Sequence, residues 1–118
     1  MLARDAFNFR NPMREIADHS LQAASRTMKL IEERVRLFEA KLNADEAVMV
    51  FMIGGPSGIA FLPTHISAQD PDSIVFEGFD PDGHPFTVIQ HVSQLNFALR
   101  AFTLTSPSER KPIGFHVP

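Results

Sequence analysis

The sequence predicts an α+β fold, in which a long N-terminal helix packs on a small antiparallel sheet, or partly open barrel, of four to five strands, with a short helix after Ser93. The length of 118 residues fits a single domain. Apolar residues recur at helical spacing in the first third of the chain, and short apolar runs between turn residues make up the remainder. We therefore expect a flexible N-terminus at residues 1–10, a helix at 11–43 and a sheet region at 44–118.

The composition is that of a globular protein, because 44% of the residues are hydrophobic and 21% are charged. Cysteine is absent, which excludes disulfides, thiolate metal ligands and cysteine nucleophiles. No apolar stretch approaches the roughly 18 residues of a membrane span, and residues 1–5 lack the apolar core of a signal peptide. We therefore expect a cytoplasmic protein that does not enter a membrane.

Asn11 and Pro12 mark the start of the predicted helix, because Asn is a favourable N-cap and Pro is tolerated at the first helical position. Beyond them, apolar residues are spaced alternately four and three positions apart, which is the period of a heptad seam. The seam consists of Ala17, Leu21, Ala24, Met28, Ile31, Val35, Phe38 and Leu42. A second apolar row lies beside it and consists of Ile16, Ala23, Leu30 and Leu37.

The length of this helix indicates a contact beyond its own domain. A continuous helix over residues 12–43 would extend about 48 Å, more than a compact domain of this size covers. We expect a homodimer formed through the helix, with the self-contact made by five seam residues: Leu21, Met28, Ile31, Val35 and Phe38. The alternatives are a helix that lies only on its own sheet, with a break near His19 and Ser20, and a different protein partner.

Four strands are predicted after the helix ends between Asn43 and Glu46, and a fifth short strand or tail closes the chain. They are Ala47–Ile53, Ile59 to about Ser67, Ser73–Phe79, His84–Val92 and Ile113–Val117. The Asp-Gly pair before His84 favours a tight hairpin turn. The short helix after Ser93 is predicted from apolar residues at helical spacing between Leu95 and Phe102. A strand with Leu95, Phe97 and Leu99 facing inward is the alternative.

Charge is divided unequally along the chain. Residues 1–43 contain eight Lys or Arg and six acidic residues, a net charge of +2, whereas residues 44–118 contain three bases and eight acids, a net charge of −5. No Lys or Arg occurs between Asn43 and Leu99. The predicted sheet therefore lacks the cations that neutralise phosphates, which argues against nucleic acid as a partner.

Two turn-rich segments match functional motifs only in part. Gly54–Gly58 lacks the Lys-Ser/Thr pair of a P-loop and the second glycine of a nucleophile elbow, so we interpret it as a hairpin turn. The residues whose side chains could act as metal ligands are His65, Asp80, Asp82, His84 and His91. Their spacing matches no known ligand pattern, and the aspartates also serve turns, so we predict no metal site.

The segment from Gln90 to Asn96 is the best candidate for a binding site. Five hydrogen-bonding side chains occur there, where a strand meets a predicted helix: Gln90, His91, Ser93, Gln94 and Asn96. Such a junction suits an anion or a polar ligand. The simpler interpretation is local capping, with Ser93 as the cap and His91 bonded to neighbouring backbone.

No complete catalytic motif is present. Ser93, His91 and Asp82 could be drawn as a triad, but neighbouring strand residues point to opposite faces and no oxyanion hole is evident. Glu77 and His91, on adjacent predicted strands, are a better pair for acid–base chemistry, although a surface contact is the simpler interpretation. We predict no catalytic residue and no cofactor.

Residues 72–85 and 88–96 resemble a bacterial family of small proteins known only as a domain of unknown function. The specific part is the segment Ile89-Gln90-His91-Val92-Ser93-Gln94-Leu95, and the likeness extends over most of residues 11–116. This resemblance implies a domain type and no activity. Element order and size are also similar to those of Sm-like proteins such as Hfq, in which a helix precedes a bent five-stranded barrel that forms rings, although no Sm sequence motif is present.

These observations favour a non-catalytic interaction or oligomerisation module. The alternative is a protein that binds a small ligand or nucleotide at the 90–96 junction. A further alternative, which follows from the Sm-like resemblance alone, is an RNA-binding protein.

Overall fold

One helix and six strands form the part of the chain that the computed structural model describes, which is residues 21–53, 58–106 and 111–116. Helix α1 precedes all of the strands, and a single turn of 3-10 helix separates β4 from β5. The bounds are α1 Ala23–Glu39, β1 Glu46–Met52, β2 Ile59–Gln69, β3 Ser73–Phe79, β4 Pro85–His91, the 3-10 turn Val92–Gln94, β5 Phe97–Thr103 and β6 Gly114–His116.

The sheet has the strand order β4-β3-β2-β1-β5, and every pair on this path is antiparallel. Strand β2 is long because it serves both halves of the sheet. Its first residues, Ile59–Phe61, pair with β1, and residues 65–67 pair in parallel with β6. A register shift between Pro63 and His65 separates the two halves, since Pro cannot donate to the ladder.

The core lies between the concave face of this bent sheet and α1. Phe61 of β2 is fully buried at its centre, where its ring stacks on Phe86 at 5.0 Å and meets Phe76 edge-on at 6.1 Å. Phe97 of β5 reaches the other side of Phe76, at 5.2 Å between ring centroids. The strands at the two ends of the order, β4 and β5, therefore both contribute side chains to one core.

Helix α1 covers the core with the seam that its heptad spacing predicts. Ala24, Met28, Ile31 and Val35 are buried, and Phe38 and Leu42 pack against the same cluster. The helix ends at Glu39, where Arg36 is in its last turn and further backbone bonds reach only to Leu42. The bonds from Lys41 to Phe38 and from Leu42 to Glu39 span three residues, so the chain tightens into turns before β1.

The N-terminus of α1 is capped from a distant part of the chain. Gln22 makes no side-chain cap bond, and the first turn has no acidic residue of its own. Asp70, in the β2–β3 turn, accepts hydrogen bonds from the Ser25 backbone N–H at 3.1 Å and from the Ser25 hydroxyl at 2.6 Å. The next residue, Pro71, accepts from the Ala24 N–H at 2.9 Å. The turn thus supplies the acceptors and the negative charge that a helix N-terminus favours.

The α+β class and all five predicted strands are confirmed, with boundaries shifted by at most two residues. The sheet has six strands rather than the four to five predicted, and it is not wholly antiparallel, because β6 pairs in parallel with β2. The predicted short helix after Ser93 is wrong: only a 3-10 turn forms at Val92–Gln94, and Phe97–Thr103 is a strand. This strand forms because all seven of its residues pair with β1 while Phe97 and Leu99 pack on the core. Within the predicted helix, residues 23–39 are helical, and residues 1–20 lie outside the described part.

Within the described residues, the helix does not combine the length and the apolar character needed to cross a membrane.

The Asp70 cap can be tested by its removal. Asp70→Ala should lower the free energy of unfolding by about 1 kcal/mol, because two donors at the start of α1 lose their acceptor. Urea denaturation measures this change. Asp45→Ala, at an exposed aspartate between α1 and β1, is the matched control and should change stability by less than about 0.5 kcal/mol. Equal losses in the two variants would contradict the distant cap.

Candidate functional site

The start of β3 and the end of β4 bring together polar groups from two turns. Ser73 lies opposite His91 in the antiparallel register, so the residues that flank this pair are also neighbours. The Val92 N–H donates to the Asp72 carbonyl at 2.7 Å, which fixes the 3-10 turn against the β2–β3 connection. The predicted binding segment therefore begins on a firmly paired strand and continues into a turn.

His91 links Asp72 to Ser93 through its two ring nitrogens. Its Nδ1 accepts the Ser93 backbone N–H at 3.1 Å and lies 2.7 Å from the Ser93 hydroxyl oxygen. Because a backbone N–H can only donate, Nδ1 is the unprotonated nitrogen of the neutral ring, and Nε2–H donates to Asp72 Oδ2 at 3.1 Å. The cap of the 3-10 turn is therefore His91, and the expectation that Ser93 is the cap is wrong.

The hydrogen bonds among Asp72, His91 and Ser93 fix the conformation of the 3-10 turn, and they do not leave His91 free to activate the Ser93 hydroxyl as a nucleophile. The His91 lone pair that a general base would use is already bonded to the Ser93 backbone N–H. The side chains of His91 and Asp72 are also 47% and 46% exposed, so water screens the pair. We assign to the Asp72–His91–Ser93 chain the positioning of residues 92–96.

Two pairings considered from the sequence are not formed. Asp82 lies in the β3–β4 turn, at the opposite end of the hairpin from His91, so the acid beside His91 is Asp72. Glu77 lies opposite His65 and Thr87, not beside His91, because the hairpin register pairs His91 with Ser73. Sequence reasoning missed Asp72, because the register that places it there depends on how the whole connection between Phe79 and Pro85 folds.

A shallow cleft opens beside the 3-10 turn, and four of the five predicted ligand-binding residues line it. Its lining consists of Gln90, Ser93, Gln94, Leu95 and Asn96, while His91 supports it through Ser93. The Gln90 Oε1 atom is buried, and it has no hydrogen-bond partner among residues 21–53, 58–106 and 111–116. A buried acceptor without a donor is costly, so a ligand N–H or O–H that reaches Gln90 would gain a hydrogen bond there.

The residues predicted for self-association occupy different positions on α1. Met28, Ile31 and Val35 are buried in the chain's own core, Phe38 is partly buried, and Leu21 is 57% exposed. The self-contact predicted for these residues remains a prediction, and it would require the three buried ones to leave their sheet.

The outer face of α1 carries the second apolar row. Leu30 is 65% exposed and Leu37 is 51% exposed, one heptad apart. An apolar groove runs between this face and strand β5, at one end of the strand order. It is lined by Thr27, Leu30, Ile31, Arg34, Val35, Phe97 and Leu99.

The β3–β4 turn holds Asp80, Asp82 and His84 within 4.8 Å of one another through their ligand atoms. Asp80 Oδ1 accepts the backbone N–H groups of Asp82 at 3.0 Å and His84 at 2.9 Å, and Gly83 has a positive φ of 87°. The aspartate therefore serves the turn, as its sequence predicts. His65 and His91 lie on other parts of the sheet. Four residues of the Gly54–Gly58 turn, 54–57, lie outside the described part.

Comparisons with protein-family models, with curated proteins and with solved structures find no match to this chain.

The order of the junction can be tested at His91. His91→Ala removes the acceptor of the Ser93 N–H, so the Ser93 amide should exchange with solvent roughly tenfold faster, equivalent to about 1.4 kcal/mol. Hydrogen exchange followed by NMR measures this rate. His84→Ala, at another exposed histidine, is the control and should leave the Ser93 amide unchanged. The same exchange rate in both variants would show that His91 does not order the turn.

Proposed function

We propose that the protein is a non-catalytic interaction module that forms a homodimer through the outer face of α1. The observation that carries the proposal is the pair of large apolar side chains, Leu30 and Leu37, that stay 65% and 51% exposed on a helix whose other apolar row is buried from Ala24 to Val35. Two leucines one heptad apart form a continuous ridge, and beside it lies the groove against β5.

The proposed partner is a second copy because the ridge is self-complementary. In a two-fold symmetric pair of parallel helices, Leu30 of one protomer meets Leu30 of the other, and Leu37 meets Leu37. Glu33 and Arg34 lie on opposite flanks of this ridge, so the Glu33 carboxylate of each protomer faces the Arg34 guanidinium of the other. An antiparallel pair would instead bring Glu33 against Glu33 and Arg34 against Arg34. The charges therefore favour the parallel arrangement.

Replacement of the leucines tests the dimer. Leu30→Glu and Leu37→Glu should each weaken association by more than about 100-fold, because each loses the burial of a leucine, worth about 1.5–3 kcal/mol, twice in a symmetric interface. Sedimentation velocity over a range of micromolar concentrations measures the shift from dimer to monomer. Ile89→Glu is the matched control, because Ile89 is 69% exposed on β4 and lies outside the proposed contact.

A charge exchange distinguishes the proposed pairing of the helices from non-specific hydrophobic association. Glu33→Arg alone should weaken the dimer, because the new guanidinium at position 33 of each protomer would face the Arg34 guanidinium of the other. Glu33→Arg combined with Arg34→Glu should restore the dimer, because opposite charges meet again. A wild-type protein that stays monomeric, or an I89E variant as defective as L30E, would overturn the proposal.

A second function is favoured by the buried Gln90 Oε1 atom: recognition of a polar small molecule in the cleft at residues 90–96. The cleft is lined by the amide side chains of Gln90, Gln94 and Asn96. Asp72 adds negative charge beside it through His91. This chemistry suits a neutral or cationic ligand that has N–H donors, such as a nucleobase, more than a phosphate or an RNA backbone.

Nucleoside titrations test this second function. Adenosine, cytidine, guanosine and uridine, followed by NMR shifts of the side-chain amides, should saturate for at least one base, and Gln94→Ala should weaken that binding about tenfold. Thr87→Ala, on the exposed side of β4, is the control. A single-stranded RNA that binds more tightly than its nucleoside, with a steep salt dependence, would instead support the RNA-binding alternative. Equal nucleoside affinities of the wild type and the Gln94→Ala variant would contradict binding in the cleft.

A further inference from the structure

We propose that His65 and His116 bind a divalent transition metal ion, of the Zn²⁺, Ni²⁺ or Cu²⁺ class, in the space above Gly114. The two histidines come from distant parts of the sequence, and the parallel pairing of β2 with β6 brings them together. His65 lies opposite Gly114, and His116 lies opposite Ser67. Their side chains therefore share the outer face of the sheet on adjacent strands.

The two imidazole rings are already neighbours. Their centroids are 5.4 Å apart and their planes differ by 20°. Both histidines are exposed, so an ion could reach them from solvent without opening the core.

Gly114 leaves open the space that the ion would use. A Cβ atom at Gly114 would lie 3.4 Å from His65 Nε2 and 3.3 Å from His116 Nε2, and only 2.9 Å from His65 Cδ2. The Nε2 atoms of both rings therefore border the same small volume, which any larger residue at position 114 would fill. Because the rings are nearly parallel, both side chains must rotate to direct the two nitrogens at one ion, and their exposure to solvent leaves room for this.

The hydrogen bonds of His65 leave its Nε2 lone pair available. The Thr64 hydroxyl donates its single proton to the Glu77 carbonyl at 3.2 Å. The same oxygen lies 3.1 Å from His65 Nδ1, so it accepts from an Nδ1–H group. The neutral ring is then unprotonated at Nε2, which is the nitrogen that faces Gly114. A second hydrogen bond that fixes the tautomer and the ring in this way is the usual support of a metal-binding histidine.

The chemistry of the pair selects the class of ion. Imidazole nitrogens suit Zn²⁺, Ni²⁺ and Cu²⁺, whereas Mg²⁺ and Ca²⁺ prefer oxygen ligands. Glu77, opposite His65 on the same face, adds negative charge near the ion. With two protein nitrogens, water fills the other coordination positions. The bound ion would connect β6 to β2 and so stabilise the folded chain.

Isothermal titration of the tag-free protein with ZnCl₂ at neutral pH tests the site. The expected result is one saturable Zn²⁺ per chain, a higher melting temperature in Zn²⁺, and loss of both effects in His65→Ala and in His116→Ala. Gly114→Ala should also abolish binding by filling the space. Thr64→Val should weaken binding about tenfold, since the tautomer of His65 is no longer fixed, and Thr64→Ser should restore it. Melting curves without metal confirm that each variant is folded.

His84→Ala is the control, because it removes the histidine of the Asp80, Asp82 and His84 turn while leaving the proposed site intact. Its Zn²⁺ affinity should equal that of the wild type. The proposal is overturned if Zn²⁺ does not bind saturably, if binding survives both H65A and H116A, or if it is lost in H84A.

Discussion

The bend in β2 is the constraint on which the rest of the structure depends. Pro63 interrupts the ladder, and the register shifts before His65, so the strand turns from β1 toward β6. Gly78 makes this close approach possible, because a Cβ atom there would collide with the Leu62 carbonyl oxygen. Without the bend, β1 and β6 could not share one edge of β2, and the sheet would not curve around Phe61.

The bent strand β2 also determines which face of α1 is buried and which is exposed. The helix makes more contacts with β2 than with any other strand, and the cap at Ser25 comes from Asp70, directly after β2 ends. The cap and the packing together fix the rotation of the helix about its axis. The row that includes Met28 and Val35 is therefore buried, and the row that includes Leu30 and Leu37 is left on the outside.

Much of this fold follows from local patterns, whereas the contacts between distant segments do not. Alternation and the Asp-Gly turn predict β3 and β4, and the polar residues that follow β4 indicate the cleft beside Gln90. The register of the two strands is not predicted, because Glu77 rather than Asp72 is expected beside His91. The segment from Leu95 to Phe102 fits both helical and strand spacing, and the strand forms because the edge of β1 offers a complete set of partners. Likewise, a wide apolar stripe on a helix does not specify which row the sheet covers. The proximity of His65 to His116 depends on the parallel pairing of β2 with β6, which no local sequence pattern predicts.

The central claim is that the outer row of α1 is covered by a parallel second copy, and distances between spin labels test it most directly. The chain has no cysteine, so a single cysteine for labelling can be placed at Arg34, beside the leucine ridge, or at Ala40, just past the helix. The account predicts a short distance between the two labels at position 34 and a similar distance between the two labels at position 40. A separation at position 40 that is about 20 Å greater along the helix axis, as in an antiparallel pair, or no dipolar coupling between protomers, would contradict it.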